Sequence, residues 1–210
     1  MDVRNISNSG PDDKKQEKFA LLWDAPGVTR LVRVYCHRDP AWSLQLLQRA
    51  APTLERLCVR YPREAHLLAV HTMPRLTRLD VDAALAAQGP ELPDLPPGHG
   101  GHGLQWLRVG NLPRAWTRSL LRAHGGTLEE LQLLVGTAES KGTSYSCDDL
   151  NSLLQRSGLR ALRRLVLRRV GWIHQPAACR EQRAEVRGVL PGAEVLVLCD
   201  KCDHVEKEEV

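Results

Sequence analysis

The stretch Leu54-Glu-Arg-Leu57-Cys-Val59 decides the fold, because its spacing of apolar residues returns along most of the chain. Apolar side chains occupy positions 1, 4 and 6 of this segment. Four further copies keep the same spacing, and they span residues 76–81, 104–109, 128–133 and 162–167. Five copies are difficult to obtain by chance, so the pattern indicates a chain built from a repeated structural unit.

Two weaker copies extend the series at its ends. The first begins at Val28, and we expect its register to slip from Arg33 to Val34 so that the sixth position stays apolar. The last begins at Ala193 and ends at Leu198. Successive copies start 26, 22, 28, 24, 34 and 31 residues apart, a spacing typical of a unit with one short strand and one helix.

The segments between the copies predict helices and loops. Amphipathic stretches predict helices over residues 42–51, 114–124, 148–157 and 177–189, and Asp148 or Asp149 is expected to cap the third. Residues 89–103 are dense in Pro and Gly, which predicts a loop, and residues 136–146 form a polar insertion.

These elements together predict an α/β leucine-rich-repeat solenoid. Positions 1, 4 and 6 of each unit bury one face of a short strand, and stacking of neighbouring units makes that buried layer continuous. We expect a curved parallel sheet with helices on its convex side and about 6–7 repeats. Residues 19–203 form this domain, residues 1–18 are disordered or an N-terminal cap, and residues 204–210 are an acidic tail.

The pattern resembles the leucine-rich repeats of the F-box and ribonuclease-inhibitor-like kind, which have a strand and a helix in each unit. The resemblance covers about residues 25–200 and implies an architecture rather than any one protein. F-box proteins carry a helical F-box before their repeats. Only 27 residues precede the first copy here, too few for that module, so no F-box is recognisable. The sequence is then either a repeat-only relative or a fragment of a longer chain.

Composition limits the cellular setting. The chain has 210 residues, is 42% apolar and carries a net charge of +4. No apolar run approaches the roughly 20 residues that a membrane-spanning helix needs, and the N-terminus lacks the hydrophobic stretch of a signal peptide. We therefore expect a cytoplasmic or nuclear protein with reduced thiols and no membrane partner.

Positions 3, 5 and 7 of each unit are expected to project from the concave side of the sheet. The candidate protein-binding residues there are Arg30, Arg56, Arg60, Arg78, Asp80, Trp106, Arg108, Glu130, Arg164 and Arg168. In the last copy these positions fall on Val195, Val197 and Cys199. Arginine beside tryptophan is typical of binding hot spots. The alternative is that the arginines are solvated and pair with the acidic residues Glu55, Asp80, Asp82 and Glu129.

Three functions are compatible with this face. The leading hypothesis is a non-catalytic protein-protein interaction scaffold for an acidic or mixed protein surface; the resemblance implies the substrate-recognition part of a ubiquitin-ligase adaptor. The second is a stoichiometric enzyme inhibitor of the ribonuclease-inhibitor-like type. The third is nucleic-acid binding through the arginine-rich face, which the interleaved carboxylates disfavour.

Catalytic and metal chemistry have little support in the sequence. The chain contains no G-x-S-x-G, P-loop, H-E-x-x-H or Rossmann motif, so we expect no enzymatic activity and no cofactor. Cys199 and Cys202 have a C-x2-C spacing, followed by His204, but no second such pair exists and Cys179 falls in a predicted helix. A structural zinc site needs four ligands, and glycines around His99 and His102 make that pair a weak site. We therefore predict no bound metal.

Overall fold

A computed structural model of the chain describes residues 1–83, 103–136, 149–169, 176–199 and 202. Several predicted features lie outside these residues. They are the parts of the predicted loop and insertion at 89–102 and 137–146, the C-terminal tail at 204–210, and the residues Asp148, His99 and His102.

The described residues form one sheet of seven parallel strands, and the strands lie in the sheet in the order of the chain. They are β1 (Arg30–Tyr35), β2 (Arg56–Arg60), β3 (Arg78–Asp82), β4 (Trp106–Gly110), β5 (Glu130–Leu134), β6 (Arg164–Arg168) and β7 (Glu194–Leu198). The same residues contain seven α-helices: α1 (Arg4–Ser7), α2 (Lys15–Asp24), α3 (Pro40–Ala50), α4 (Glu64–His71), α5 (Arg114–His124), α6 (Leu150–Arg156) and α7 (Pro176–Val189).

Equivalent residues of consecutive strands stand side by side. Arg56 of β2 pairs with Arg78 of β3, and Arg78 pairs with Trp106 of β4. The residue that follows in each strand is fully buried, and these seven residues are Leu31, Leu57, Leu79, Leu107, Leu131, Leu165 and Val195. One strand per unit and a continuous buried row give an α/β architecture that is consistent with a solenoid-like fold.

The predicted register slip in the first copy is confirmed. The pairing of β1 with β2 shifts between Leu31 and Val34, and Val34 pairs with Val59. Arg33 occupies the inserted position with a φ of 58°. This bulge returns Val34 to the core, where its side chain is fully buried.

The predicted register of the last copy is wrong by one residue. Glu194, and not Val195, stands beside Arg164, while Val195 and Val197 are 0% and 1% exposed in the core. A shift of one residue exchanges the two faces of a strand. The segment from Glu194 to Leu198 has apolar residues on both faces, so its pattern fits either register.

Four of the seven described helices, α3, α5, α6 and α7, lie where amphipathic stretches predict them. The helices α1, α2 and α4 were not predicted. The buried residues of α4 include His66, Leu67, Val70 and His71, two of which are histidines, so no apolar stripe marks this helix in the sequence. Asp149 stands at the N-cap of α6 but makes no side-chain cap hydrogen bond.

The N-terminal residues pack against the first strand. Val3 is fully buried, and its N–H donates to the Val32 carbonyl at 3.1 Å. Leu21 of α2 joins the core at 7% exposure, whereas Phe19 and Trp23 are 67% and 71% exposed. α2 therefore contributes Leu21 to the core and leaves its two aromatic rings exposed to solvent.

One apolar cluster runs through the described residues from Val3 to Val197. It lies between the helices and the face of the sheet that carries the buried row. Among the described helices, none is both long and apolar enough to cross a membrane.

Candidate functional site

The face of the sheet opposite the core carries all ten predicted binding residues. We call it the outer face, and it consists of three rows of side chains, one from each outward position of the strands. The first row is Arg30, Arg56, Arg78, Trp106, Glu130, Arg164 and Glu194. The middle row includes Cys58, Asp80, Arg108, Gln132, Val166 and Leu196, and the third includes Arg60, Asp82, Gly110, Leu134, Arg168 and Leu198.

Asp80 is the centre of an ion-pair network on this face. Its side chain is buried, with 3% of the residue exposed. Arg60 donates to both carboxylate oxygens, at 2.8 and 2.9 Å, and Arg108 donates to Oδ2 at 3.2 Å. Burial disfavours the charged guanidinium of Arg60, but its hydrogen bonds and charge interaction with Asp80 outweigh that effect and raise its pKa. Three predicted binding residues, Arg60, Asp80 and Arg108, thus bind one another within the protein.

The network continues across the sheet through polar side chains. The Nε of Arg108 donates to Oε1 of Gln132 at 3.1 Å, and Nε2 of Gln132 donates to Oε1 of Glu130 at 2.7 Å. Arg164 lies 3.7 Å from Glu130 and 3.5 Å from Glu194. These contacts tie β4, β5, β6 and β7 together on the outer face. Glu194 is absent from the predicted residues because the predicted register of the last copy is wrong by one residue.

Trp106 is covered and does not form part of the exposed surface. It is 4% exposed and packs with Cys58 and Val32 in a small apolar cluster. The guanidinium carbons of Arg78 and Arg108 lie 4.7 and 5.0 Å from its ring centroid, within cation–π range. A partner on the outer face would therefore touch the arginines that cover the ring rather than the ring itself.

The row of Arg30, Arg56 and Arg78 is the exposed part of the site. These residues stand on neighbouring strands, which lie about 4.8 Å apart in a sheet. Arg56 is exposed, and Arg30 and Arg78 are half-buried. The three side chains place positive charge on neighbouring strands of this face.

Arg168 adds a second basic point on the third row. Burial lowers its pKa, and the charge of Arg108 lowers it further. Its Nε is buried and has no hydrogen-bond partner among the described residues. The guanidinium of Arg168 is therefore incompletely compensated, which favours an additional acceptor at this position.

The structure also brings Cys179 close to the C-x2-C pair, a contact that the sequence pattern does not indicate. The Sγ atoms of Cys179, Cys199 and Cys202 all lie within 4.8 Å of one another. The first belongs to α7 and the others follow β7, so only the packing of α7 on β7 brings them together. His204, which the sequence adds to this pair, lies outside the described residues.

Comparisons with protein-family models, with curated proteins and with solved structures found no match.

Proposed function

We propose that the chain is a leucine-rich-repeat scaffold that recognises another protein through its outer face and catalyses no reaction. The observation that carries the proposal is the row of Arg30, Arg56 and Arg78 on three neighbouring strands. The repeated apolar spacing and the fully buried leucine row support the repeat assignment. From the resemblance to F-box repeats we further propose that the chain recognises substrates for a ubiquitin ligase in the cytoplasm or nucleus.

The charge pattern of the outer face favours an acidic or mixed protein surface. Guanidinium groups pair bidentately with carboxylates, and the arginine row offers such donors at the spacing of adjacent strands. The same face carries Asp82 and Glu194, which would match basic residues on a partner with mixed charge. Charged residues arranged in this way act mainly through specificity and the rate of association.

Nucleic acid is a poorer match to the same face. Proteins that bind single strands stack bases on exposed aromatic rings, whereas Trp106 is 4% exposed beneath two arginines. Carboxylates interleaved with the arginines would repel a phosphate backbone. Both observations favour a protein partner.

The test is a comparative affinity capture with identification of bound proteins by mass spectrometry. The variant Arg30→Glu/Arg56→Glu reverses the exposed row and leaves the Asp80 network intact. The matched control is Arg49→Glu/Arg187→Glu, which makes the same change in net charge at exposed positions of α3 and α7. We expect wild type and control to retain a common partner. The affinity of the outer-face variant for this partner should be lower by about tenfold or more, which corresponds to about 1.4 kcal/mol of binding free energy.

The opposite pattern would place the binding surface on the helices. If the outer-face variant keeps every partner and the control loses them, the outer face is not the recognition surface. A second measurement addresses nucleic acid: binding of short oligonucleotides to the purified chain, with an affinity that falls steeply as salt rises, would replace the protein-binding proposal.

A further inference from the structure

The cysteine cluster lies at the C-terminal end of the sheet, away from the arginine row. Cys179 is in the first turn of α7 and is 1% exposed. Cys199 follows the last residue of β7 and is partly buried, whereas Cys202 is exposed. All three are in the thiol form rather than in a disulfide. The three sulfur atoms therefore form a small cluster that is buried at Cys179 and exposed to solvent at Cys202.

From this juxtaposition we propose that Cys179, Cys199 and Cys202 bind a zinc-class divalent metal ion as thiolates. Zinc–sulfur bonds are about 2.3 Å long, which places the sulfurs of a tetrahedral site about 3.8 Å apart. The three Sγ atoms already lie within 4.8 Å of one another. These separations exceed that of a tetrahedral site by at most about 1 Å.

The local backbone is suited to such a site. Cys199 and Cys202 have the C-x2-C spacing of a zinc knuckle, and the N–H of Cys202 donates to the carbonyl of Cys199 at 3.4 Å. The third ligand is supplied from α7, whose position is fixed by a hydrogen bond of 3.0 Å from Nε of Arg183 to the carbonyl of Val195. Ligands on a helix, a strand end and a turn are thus held by different elements.

Sulfur ligands select the kind of ion. Thiolates favour soft or borderline metals such as zinc over magnesium or calcium, which prefer oxygen. Three thiolates occupy three of the four positions of a tetrahedral ion and leave one for another ligand. His204 lies outside the described residues and is not part of the proposed set.

The place of the site indicates its role. The site lies where α7 packs beside β7, the last strand of the described sheet. A metal ion bridging α7 to the residues after β7 would fasten the last helix to the last strand. Because the ion binds the folded chain, it would also raise the stability of that unit.

The test uses the purified, reduced, full-length chain and cobalt(II) as a spectroscopic probe. We expect one equivalent of cobalt to produce thiolate-to-metal charge-transfer bands, and zinc to displace it. Cys179→Ser, Cys199→Ser and Cys202→Ser should each weaken cobalt binding at least about tenfold. Cys36→Ser and Cys58→Ser, which alter thiols elsewhere in the chain, are the matched controls and should bind as wild type does.

The exposed residue keeps the test independent of folding. Replacement of Cys202 leaves the core untouched, so circular dichroism of Cys202→Ser should match that of wild type while zinc no longer raises its Tm. Absence of charge-transfer bands in wild type, or their full retention in Cys179→Ser or Cys202→Ser, would overturn the proposal. Oxidation of two of these thiols to a disulfide, with no metal uptake by the reduced chain, would overturn it as well.

Discussion

At the scale of single residues, the arginines of the outer face divide into two groups with different roles. Arg60 and Arg108 are bound to the buried Asp80, so they hold neighbouring strands together. Arg30 and Arg56 belong to the row that also contains Arg78, and they lie outside the Asp80 network. A substitution at Arg60 or Arg108 would therefore disturb folding and binding together, and only the exposed row isolates binding.

The substitution Asp80→Asn tests the structural group. It preserves the shape of the side chain but removes the charge that compensates Arg60 and Arg108. Breaking a buried pair from one side costs about 3–5 kcal/mol, because the remaining charge is left uncompensated. We expect the free energy of unfolding in urea to fall by about 3 kcal/mol with an unchanged m-value.

Glu194→Gln is the matched control for this change. It also removes a carboxylate that pairs with an arginine of the outer face, but the Glu194 side chain is 61% exposed. Exposed pairs contribute about 0–1 kcal/mol, so the control should unfold close to wild type. Equal effects of the two substitutions would mean that the Asp80 network does not stabilise the sheet.

On the outer face, the sequence predicted the position of a residue but not its burial. Spacing predicted correctly that Arg78 and Trp106 stand on neighbouring strands. It did not indicate that Trp106 is covered, because burial on this face depends on how Arg78 and Arg108 fold over the ring. Side-chain direction on a polar face is decided by contacts with other strands, which a pattern of apolar residues does not record.

At the scale of elements, the sequence predicted strands better than the connections between them. The apolar spacing located β2 to β6 because each of these strands has a polar or charged residue on its outer face. It misplaced the side chains of β7, where both faces are apolar. It missed α4, whose buried side includes two histidines, because a helix is recognised by an apolar stripe that this segment lacks.

Gly125 marks a close contact between two elements of the helical layer. A Cβ atom at this position would overlap the carbonyl oxygen of Ser157 and would lie 2.6 Å from that of Leu121. Its backbone is helical, so glycine is needed here for space rather than for conformation. The end of α5 and the end of α6 can therefore approach only while residue 125 has no side chain.

The substitution Gly125→Ala should force these helices apart. Overpacking costs about 1–3 kcal/mol, and we expect about 2 kcal/mol in urea unfolding. Gly126→Ala is the control, because nothing lies within 4 Å of a Cβ at that position, and it should change stability by less than about 0.5 kcal/mol. Similar free energies of unfolding for the two variants would show that α5 and α6 can move apart without loss of stability.

At the scale of the whole molecule, the local apolar repeat specified the parallel sheet but not the pairings that depend on distant segments. A seven-strand order follows from repeated units that each need neighbours to bury one face. The cysteine cluster depends on Cys179 reaching Cys199 through the packing of α7 on β7. Such a contact joins residues on different elements, so it becomes visible only when the units are assembled.

The helical layer also makes the stability of the assembled molecule sensitive to acid. His124 of α5 lies 3.3 Å from His71 of α4, measured from Nε2 to Nδ1. Burial, and then the charge of His71, lowers the pKa of His124 from 6.5 to about 4. Burial likewise lowers the pKa of His66, whose Nδ1 accepts a hydrogen bond from the N–H of Arg63. Both histidines are therefore kept neutral in the folded protein.

Acidification should consequently favour the unfolded chain. Once exposed, these histidines bind protons near pH 6.5, so between about pH 6.5 and pH 4 the unfolded state holds more protons than the folded state. The free energy of unfolding therefore falls as the pH falls through this window. We expect Tm to decline from pH 7 to pH 4.5, and His124→Gln to show a shallower decline than wild type.

The control is Gly125→Ala, which destabilises the neighbouring position without altering a titratable group. Its Tm should lie below that of wild type at every pH and run parallel to it. A His124→Gln curve that also runs parallel to wild type would show that this histidine takes up its proton in the folded protein as readily as in the unfolded chain.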